Sequence, residues 1–158
     1  MTISELKAFG QFSSSLTQRP MILQPLKIIL DSQEDRSGEE HLIDFNEKGD
    51  VTIKQTGMYL VIAGLQVTKL VGNTARWIDF WIRINDVDVR NSNVRITLRD
   101  PNQKDVIMTQ TVVRIKKDDK LNIMMAVEVA DEGLGIEAIR PEREPLIPSI
   151  ILTILQLQ

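Results

Sequence analysis

"GMYLVIAGLQV", Gly57 to Val67, is apolar on both faces of an extended chain. Successive side chains of a β-strand point to opposite faces, so the residues of this stretch sort into two sets. Tyr59, Val61 and Ala63 share one face, and Met58, Leu60 and Ile62 share the other. A strand with one face in water would alternate apolar and polar residues. We therefore expect this strand in a sheet that is covered on both faces.

The last strand of the chain repeats the pattern. In "SIILTILQLQ", Ser149 to Gln158, a first apolar set alternates with a second; the first is Ile150, Leu152 and Ile154, and the second is Ile151 and Leu155. A two-sheet sandwich covers only the inner face of each sheet, and a large exposed apolar surface usually marks an interface. Both strands together predict that another chain covers the outer face of their sheet.

Alternation with a period of two also dominates the rest of the chain, as in "WIDFWIRI", Trp77 to Ile84. Turn signals such as "NEKGD", "VGNTA" and "RDPNQKD" separate these runs. The sequence contains no linker, repeat or low-complexity tract. We therefore expect residues 1–158 to form a single all-β domain of two packed sheets, with about eight to ten strands.

The composition argues against several classes of protein. Because 19 Lys and Arg stand against 22 Asp and Glu, we expect no basic surface for nucleic acid. Cysteine is absent and His41 is the only histidine, which excludes disulfides and thiolate sites and argues against histidine metal centres and Ser–His catalysis. No stretch is long and apolar enough to span a membrane, and the first residues lack the features of a secretory signal peptide. We expect no enzyme, no nucleic-acid partner and no membrane insertion.

Oxygen-bearing side chains alternate in "NDVDV", Asn85 to Val89, as they do at the start of a calcium loop. The glycine and the distal bidentate carboxylate of such a loop do not follow at the right spacing, whereas Asn-Asp suits the type I′ turn of a β-hairpin. That turn pairs Arg83 with Asp88, which carry opposite charges. It also brings Trp81 opposite Arg90 for a cation–π contact. We predict a hairpin here rather than a metal site.

Five stretches, in the right order, resemble motifs of the C1q/tumour-necrosis-factor superfamily. They are "AFGQF" (Ala8–Phe12), "GMYLVIAGLQV" (Gly57–Val67), "IRINDVDV" (Ile82–Val89), "VVRIKKDDKLNI" (Val112–Ile123) and "SIILTILQL" (Ser149–Leu157). The match covers nearly the whole chain. Asp86 and Asp118 stand where the superfamily usually has glycine, and aspartate tolerates the left-handed backbone that such turns require.

The resemblance implies an all-β jelly-roll β-sandwich of ten strands that assembles as a homotrimer. The residues expected in the monomer core are Tyr59, Phe80 and Leu152. By the pattern of the superfamily, the residues expected at the three-fold axis are Leu60, Ile62, Met108 and Ile151. The alternative is that these four residues belong to an ordinary core, since a register error of one residue exchanges the two faces of a strand.

Some C1q-like domains bind calcium near the top of the trimer. In this chain the acidic loop "DSQEDRSGEE", Asp31 to Glu40, offers Asp31, Glu34 and Asp35 as candidate ligands. The alternative is a solvated acidic loop, which is what most runs of charge are. No other cofactor is expected.

The function implied by the resemblance is a non-enzymatic structural or adhesive module, such as the head of a spore-surface, cell-surface or phage-fibre protein. The absence of collagen-like repeats, disulfides and a signal peptide favours a bacterial or viral relative, at a spore or virion surface or otherwise in the cytoplasm. The alternative is a ligand- or carbohydrate-binding jelly roll that uses the loops at one end of the trimer, with a protein or glycan partner. For sugar stacking the chain offers two tryptophans, Trp77 and Trp81.

Overall fold

The computed structural model describes the backbone of residues 7–36 and 41–158, and their side chains except at 34–36. Within these residues the chain forms thirteen β-strands and no helix, and hence no helix long and apolar enough to cross a membrane. Three strands have two residues each, and the other ten are longer. The strands are β1 (Phe9–Ser14), β2 (Leu26–Lys27), β3 (Ser32–Arg36), β4 (Ile43–Phe45), β5 (Val51–Ile53), β6 (Gly57–Thr68), β7 (Arg76–Ile84), β8 (Val87–Asp88), β9 (Val94–Leu98), β10 (Asp105–Ile115), β11 (Asp119–Val127), β12 (Gly135–Ile136) and β13 (Ile150–Gln156).

The strands form two antiparallel sheets. Sheet A has the order β10-β6-β13-β1-β3, with β12 also paired to β6. Sheet B has the order β4-β5-β11-β7-β8, with β2 paired to β11 and β9 paired to β7. Most neighbours in sheet A are far apart in the chain, because β6 pairs with β10 and β13. The fold is the expected all-β jelly-roll β-sandwich.

The core lies between the sheets and follows from the alternation of side chains. The expected core residues Tyr59, Phe80 and Leu152 are all fully buried. Phe12 of sheet A meets Phe45 of sheet B edge to face, with ring centroids 5.7 Å apart. Burying each large apolar side chain contributes about 1.5–3 kcal/mol, so this layer is the main source of stability.

Tyr59 is the polar member of that core. Its hydroxyl donates a 2.5 Å hydrogen bond to the carbonyl oxygen of Gln55, which satisfies the group without water. Burial raises the pKa of Tyr59 to about 12, because the charged phenolate would lack solvent.

The hairpin at Asn85-Asp86 has the predicted register, since Arg83 pairs with Asp88. The two turn residues have φ angles of 50° and 65°, as a type I′ turn requires. Asp118, the second aspartate at a usual glycine position, has a φ of 72°. The predicted hairpin is confirmed, and both aspartates adopt the left-handed backbone.

The predicted cation–π contact between Trp81 and Arg90 is wrong. Strand β8 ends at Asp88, and Asn91 takes a φ of 64° that turns the chain out of the hairpin. The indole N–H of Trp81 instead donates a 2.7 Å hydrogen bond to Asp88. In the part of the chain that the structure describes, the cation–π contact joins Arg95 and Trp77, with 4.2 Å from the guanidinium carbon to the ring centroid.

Candidate functional site

The outer face of sheet A carries the four residues predicted for a three-fold axis. The strand register arranges β10, β6 and β13 in rows that cross the sheet. Met108 and Ile151 flank Gly64 in one row. Ile62 and Leu60 lie in the two rows that follow at alternate positions of β6. All four side chains therefore share one face, opposite the inward set of β6.

One row of this face is apolar across four strands. It consists of Val112 on β10, Leu60 on β6, Leu155 on β13 and Phe9 on β1. Met108 is 59 % exposed and Ile151 is 41 % exposed, and Leu60 and Ile62 are half-buried. We call the seven apolar residues of these rows the apolar face: Phe9, Leu60, Ile62, Met108, Val112, Ile151 and Leu155.

Charge is scarce around the apolar face. We consider the outward positions of β1, β6, β10 and β13, the strands of this face whose side chains are all described. Among these positions the charged residue is Arg114, near one end of β10. The remaining polar positions are neutral: Gln11, Ser13, Gln66, Thr68, Gln110 and Thr153. A surface that combines apolar side chains with a lack of charge has the composition of the buried centre of a protein interface.

The calcium candidates lie at the other edge of sheet A. The carboxylate of Asp31 accepts a 2.9 Å hydrogen bond from the backbone N–H of Ser15 and another from the Ser15 hydroxyl. Glu34 and Asp35 lie on β3, and their side chains are outside the described residues. Among the described residues no group of three or more His, Cys, Asp or Glu side chains is arranged to hold a metal ion. Calcium binding by this loop stays a prediction.

Sheet B has a different outer face, rich in charge and containing both tryptophans. Trp77, Asp79 and Trp81 alternate with the buried residues of β7 and point outward. Arg95 on β9 donates two hydrogen bonds to the carboxylate of Asp79, of 2.7 Å from Nε and 2.9 Å from Nη2. The same guanidinium lies over the ring of Trp77, so the three side chains form one rigid group.

A cleft of about 250 Å³ opens on this face beside Trp81. Its lining residues are Asp79, Trp81, Asp88, Val89, Asn93 and Ala126, and we call it the tryptophan cleft. Ala126 stands opposite Asp79 in the register of β11 and β7, and its methyl group leaves the space open. Arg83 and Trp81 both donate to Oδ1 of Asp88, at 2.9 and 2.7 Å, and these bonds hold the pKa of Asp88 below its usual range.

A second cleft, of about 260 Å³, lies farther along β11, beside the turn that follows β7. We call it the amide cleft; it is lined by Lys27, Asp50, Asn85, Asp86, Lys120 and Asn122. Asp50 is nearly buried and accepts hydrogen bonds from Asn122 (2.6 Å), Asn46 (3.1 Å) and Lys27 (3.1 Å). Burial by itself would raise the pKa of Asp50, but these donors outweigh it and lower the pKa to about 2.

Lys69 is a fully buried cation near the ends of β6 and β9. Its Nζ donates to the carbonyl oxygens of Thr74 and Arg99, at 2.7 and 2.9 Å, and lies 3.7 Å from Glu132. Glu132 in turn pairs with Arg76 at 2.5 Å. The Lys69 ammonium group thus links the segments that contain Thr74, Arg99 and Glu132, so we assign it a structural role.

These features together define an all-β jelly roll with one apolar and one polar outer face. Its fold is similar to that of murine APRIL in a crystal structure at pH 5.0, with a TM-score of 0.57 and 11 % identity, over 96 % of this chain and 99 % of that chain. Pika GITRL gives a TM-score of 0.47 and 12 % identity, over 98 % of both chains. No protein-family model and no curated protein sequence matches the chain. At such low identities the likeness to APRIL concerns the fold.

The sequence pattern points to the two tryptophans but not to the clefts. The alternation of Trp77, Asp79 and Trp81 was the available signal, since it places all three on one face of β7. Ala126 and Asn93 come from β11 and from the segment before β9, so only the pairing of distant strands brings them to the same place.

Proposed function

We propose that the chain is a non-enzymatic structural or adhesive module that assembles as a homotrimer through the apolar face and is displayed at a surface. The observation that carries the proposal is the apolar row through Leu60 on β6, an interior strand of sheet A. Isolated apolar side chains are common on protein surfaces, but a contiguous and nearly uncharged set on the middle of a sheet favours association.

The position of the apolar face supports a closed ring of three copies. Strand β10 is an edge of sheet A, and its outward residues Met108 and Val112 are among the exposed apolar ones. If the β10 edge of one copy packs beside Ile151 and Leu155 of the next, the contact is head to tail, and such contacts close into a ring when the rotation between copies is a whole fraction of a turn. The resemblance of five sequence motifs to the C1q/tumour-necrosis-factor superfamily selects three as the number of copies.

The same arrangement supports a role in display. Assembly through sheet A would leave the charged outer face of sheet B and its two clefts pointing away from the axis in every copy. A rigid trimer that presents three identical polar surfaces suits structural or adhesive work at a spore, cell or virion surface. Repetition of a weak contact three times would raise its overall strength.

Size-exclusion chromatography with light scattering tests the assembly. The chain has a mass of 18.0 kDa, and we expect a particle of three times that mass. A stable monomer at micromolar concentration would overturn the proposal.

A matched pair of variants tests which face is used. Ile62→Asp places a charge on the apolar face and should give a monomer or an unfolded chain. Ile22→Asp makes the same change at an exposed loop residue and should leave the trimer intact. A soluble trimer of Ile62→Asp would show that the copies meet elsewhere.

A further inference from the structure

The tryptophan cleft combines an aromatic ring with polar groups whose charges are already balanced. The carboxylate of Asp79 is paired with Arg95, and that of Asp88 is paired with Arg83. The two carboxylates line the cleft and would repel an anionic ligand, and the guanidinium groups that pair with them offset their attraction for a cationic one. The cleft therefore disfavours a strongly charged ligand of either sign and favours a neutral one.

Hydrogen-bonding capacity remains in the cleft after this pairing. Within the described residues, the side-chain amide of Asn93 and the Oδ2 atom of Asp88 make no hydrogen bond to the protein, since both donors to Asp88 bind its Oδ1 atom. Each carboxylate oxygen of Asp79 accepts one bond from Arg95, so each has a lone pair to spare. Hydroxyl groups can donate to these oxygens, and to a carboxylate such bonds are stronger than between neutral groups.

The ring of Trp81 supplies the apolar part of the cleft. Its N–H is held by Asp88, which sets the orientation of the indole, and the small Ala126 leaves room beside it. A sugar has an apolar face of C–H groups and a rim of hydroxyl groups, which matches an aromatic surface edged by carboxylate and amide. A strongly acidic or basic peptide does not match both the aromatic surface and its charge-balanced polar edge.

The amide cleft lies in line with the tryptophan cleft along β11. Asn122 and Ala126 line the two clefts, and four residues of strand span about 13 Å. The amide cleft also balances its charges, with Lys27 and Lys120 against Asp50 and Asp86. The Met124–Trp81 pair separates the two clefts in the strand register. The spacing suits the length of a short oligosaccharide rather than of a single sugar.

We propose that the outer face of sheet B binds a neutral oligosaccharide, with Trp81 as the stacking platform and Asp79, Asp88 and Asn93 as the hydrogen-bonding groups. This places recognition on the face of a sheet, whereas the carbohydrate-binding alternative predicted from the sequence uses the loops at one end of the trimer. Each copy carries a complete site, so binding of one oligosaccharide does not depend on assembly.

Intrinsic fluorescence provides a direct measurement. The chain has two tryptophans, so the variant Trp77→Phe leaves Trp81 as the single indole. We would titrate this variant and the unmodified chain with a panel of neutral di- to tetrasaccharides built from hexoses and N-acetylhexosamines. At least one of them should shift or quench the emission of Trp81 in a saturable way. If no member of the panel does so at millimolar concentration, the proposal is overturned.

Substitutions assign the binding to the cleft. Asn93→Ala removes an exposed amide that holds nothing in the fold, and it should weaken binding about three- to tenfold, as expected for one lost hydrogen bond. Trp81→Ala, followed by calorimetry, should abolish measurable binding. Asn73→Ala, at an exposed loop position outside the cleft, should bind as the unmodified chain does. Equal affinity of all three variants, or saturable quenching by oligolysine in place of the sugars, would refute the site.

Sugar binding by the Ile62→Asp variant tests the site independently of the proposed assembly. The Ile62→Asp variant, if it is a folded monomer, should bind a soluble oligosaccharide with the affinity of the unmodified chain per site. If the unmodified chain is monomeric but binds, the assembly fails and the site stands. If it is trimeric but binds no sugar, the site fails and the assembly stands.

Discussion

Met108 stands opposite Gly64 on the outer face of sheet A, and the two residues leave a gap in the apolar face. A Cβ atom built on Gly64 would have, among the described residues beyond its chain neighbours, only the Cγ atom of Met108 within range, at 4.0 Å. The single chain therefore has room for a side chain at this position. Glycine is costly in a strand interior, which suggests that the space is needed by something outside the chain.

Gly64→Glu should accordingly separate folding from assembly. The monomer has space for the glutamate, so we expect a folded, soluble chain. In the proposed trimer its charge would be buried without a partner, which costs about 3 kcal/mol or more and weakens association roughly 100-fold. Light scattering over a dilution series measures the effect, and circular dichroism checks the fold.

Gly64→Ala is the control at the same position. A methyl group takes up a little of the space but adds no charge, so Gly64→Ala should weaken the trimer far less than Gly64→Glu. A Gly64→Glu chain that stays trimeric at micromolar concentration would place the interface away from this face.

Asp50 should make the protein sensitive to acid. Its pKa falls from an ordinary 3.8 to about 2 in the fold, so the stability that it contributes is complete above pH 4 to 5 and is lost as the pH falls toward 2. The contribution is about 2 kcal/mol. Urea unfolding at fixed protein concentration, between pH 7 and pH 3, should show a decline that Asp50→Asn reduces.

Asp86→Asn serves as the matched comparison, since Asp86 lines the same cleft but is exposed at the hairpin tip. It should keep the stability and the acid profile of the unmodified chain. If Asp50→Asn and the unmodified chain lose stability in parallel below pH 5, another carboxylate is responsible for the acid sensitivity.

Lys69→Met should destabilise the fold by about 2–4 kcal/mol, because two carbonyl oxygens and the Glu132 carboxylate would lose a buried donor. The midpoint of urea unfolding measures the loss. Lys104→Met, which removes an exposed partner of Glu137, should cost less than about 1 kcal/mol. Equal losses from the two changes would contradict the structural role of Lys69.

Asp118→Gly should stabilise the turn between β10 and β11. Asp118 has a φ of 72°, a region that glycine adopts without strain, so we expect a gain of about 0.5–1 kcal/mol. Asp118→Val should lose stability, because a β-branched side chain fits this backbone poorly. Melting temperatures of the three proteins test the order, and a glycine variant less stable than the valine variant would reverse it.

The hairpin at Asn85-Asp86 shows what local sequence can predict. Its register depends on a two-residue turn and on the residues next to it, and the predicted Arg83–Asp88 pair is confirmed. Three residues beyond the paired Asp88, at Asn91, a positive φ ends the regularity, and the predicted Trp81–Arg90 contact is wrong for that reason. Local rules hold only while the backbone stays regular.

The tryptophan cleft shows what local sequence rules cannot predict. Asp79 and Trp81 come from β7, Ala126 from β11 and Asn93 from the segment before β9. Their meeting depends on strand pairings between residues that are far apart in the chain. The charge balance of the cleft also depends on strand pairing, since Arg95 on β9 lies opposite Asp79 on the neighbouring strand β7.

The sequence by itself determined the class of fold and the two-sided strands, because the alternation of side chains and the backbone preferences of turn residues act over a few neighbours. It also placed Leu60 and Ile62 together on one face, since they are two positions apart in one strand. The resemblance led us to expect Met108 and Ile151 with them, and the strand register places both on that face. Only the tertiary structure decided that the polar face of sheet B forms two clefts. The physical reason is that the strand order sets which distant side chains meet, and the strand order results from packing the whole core.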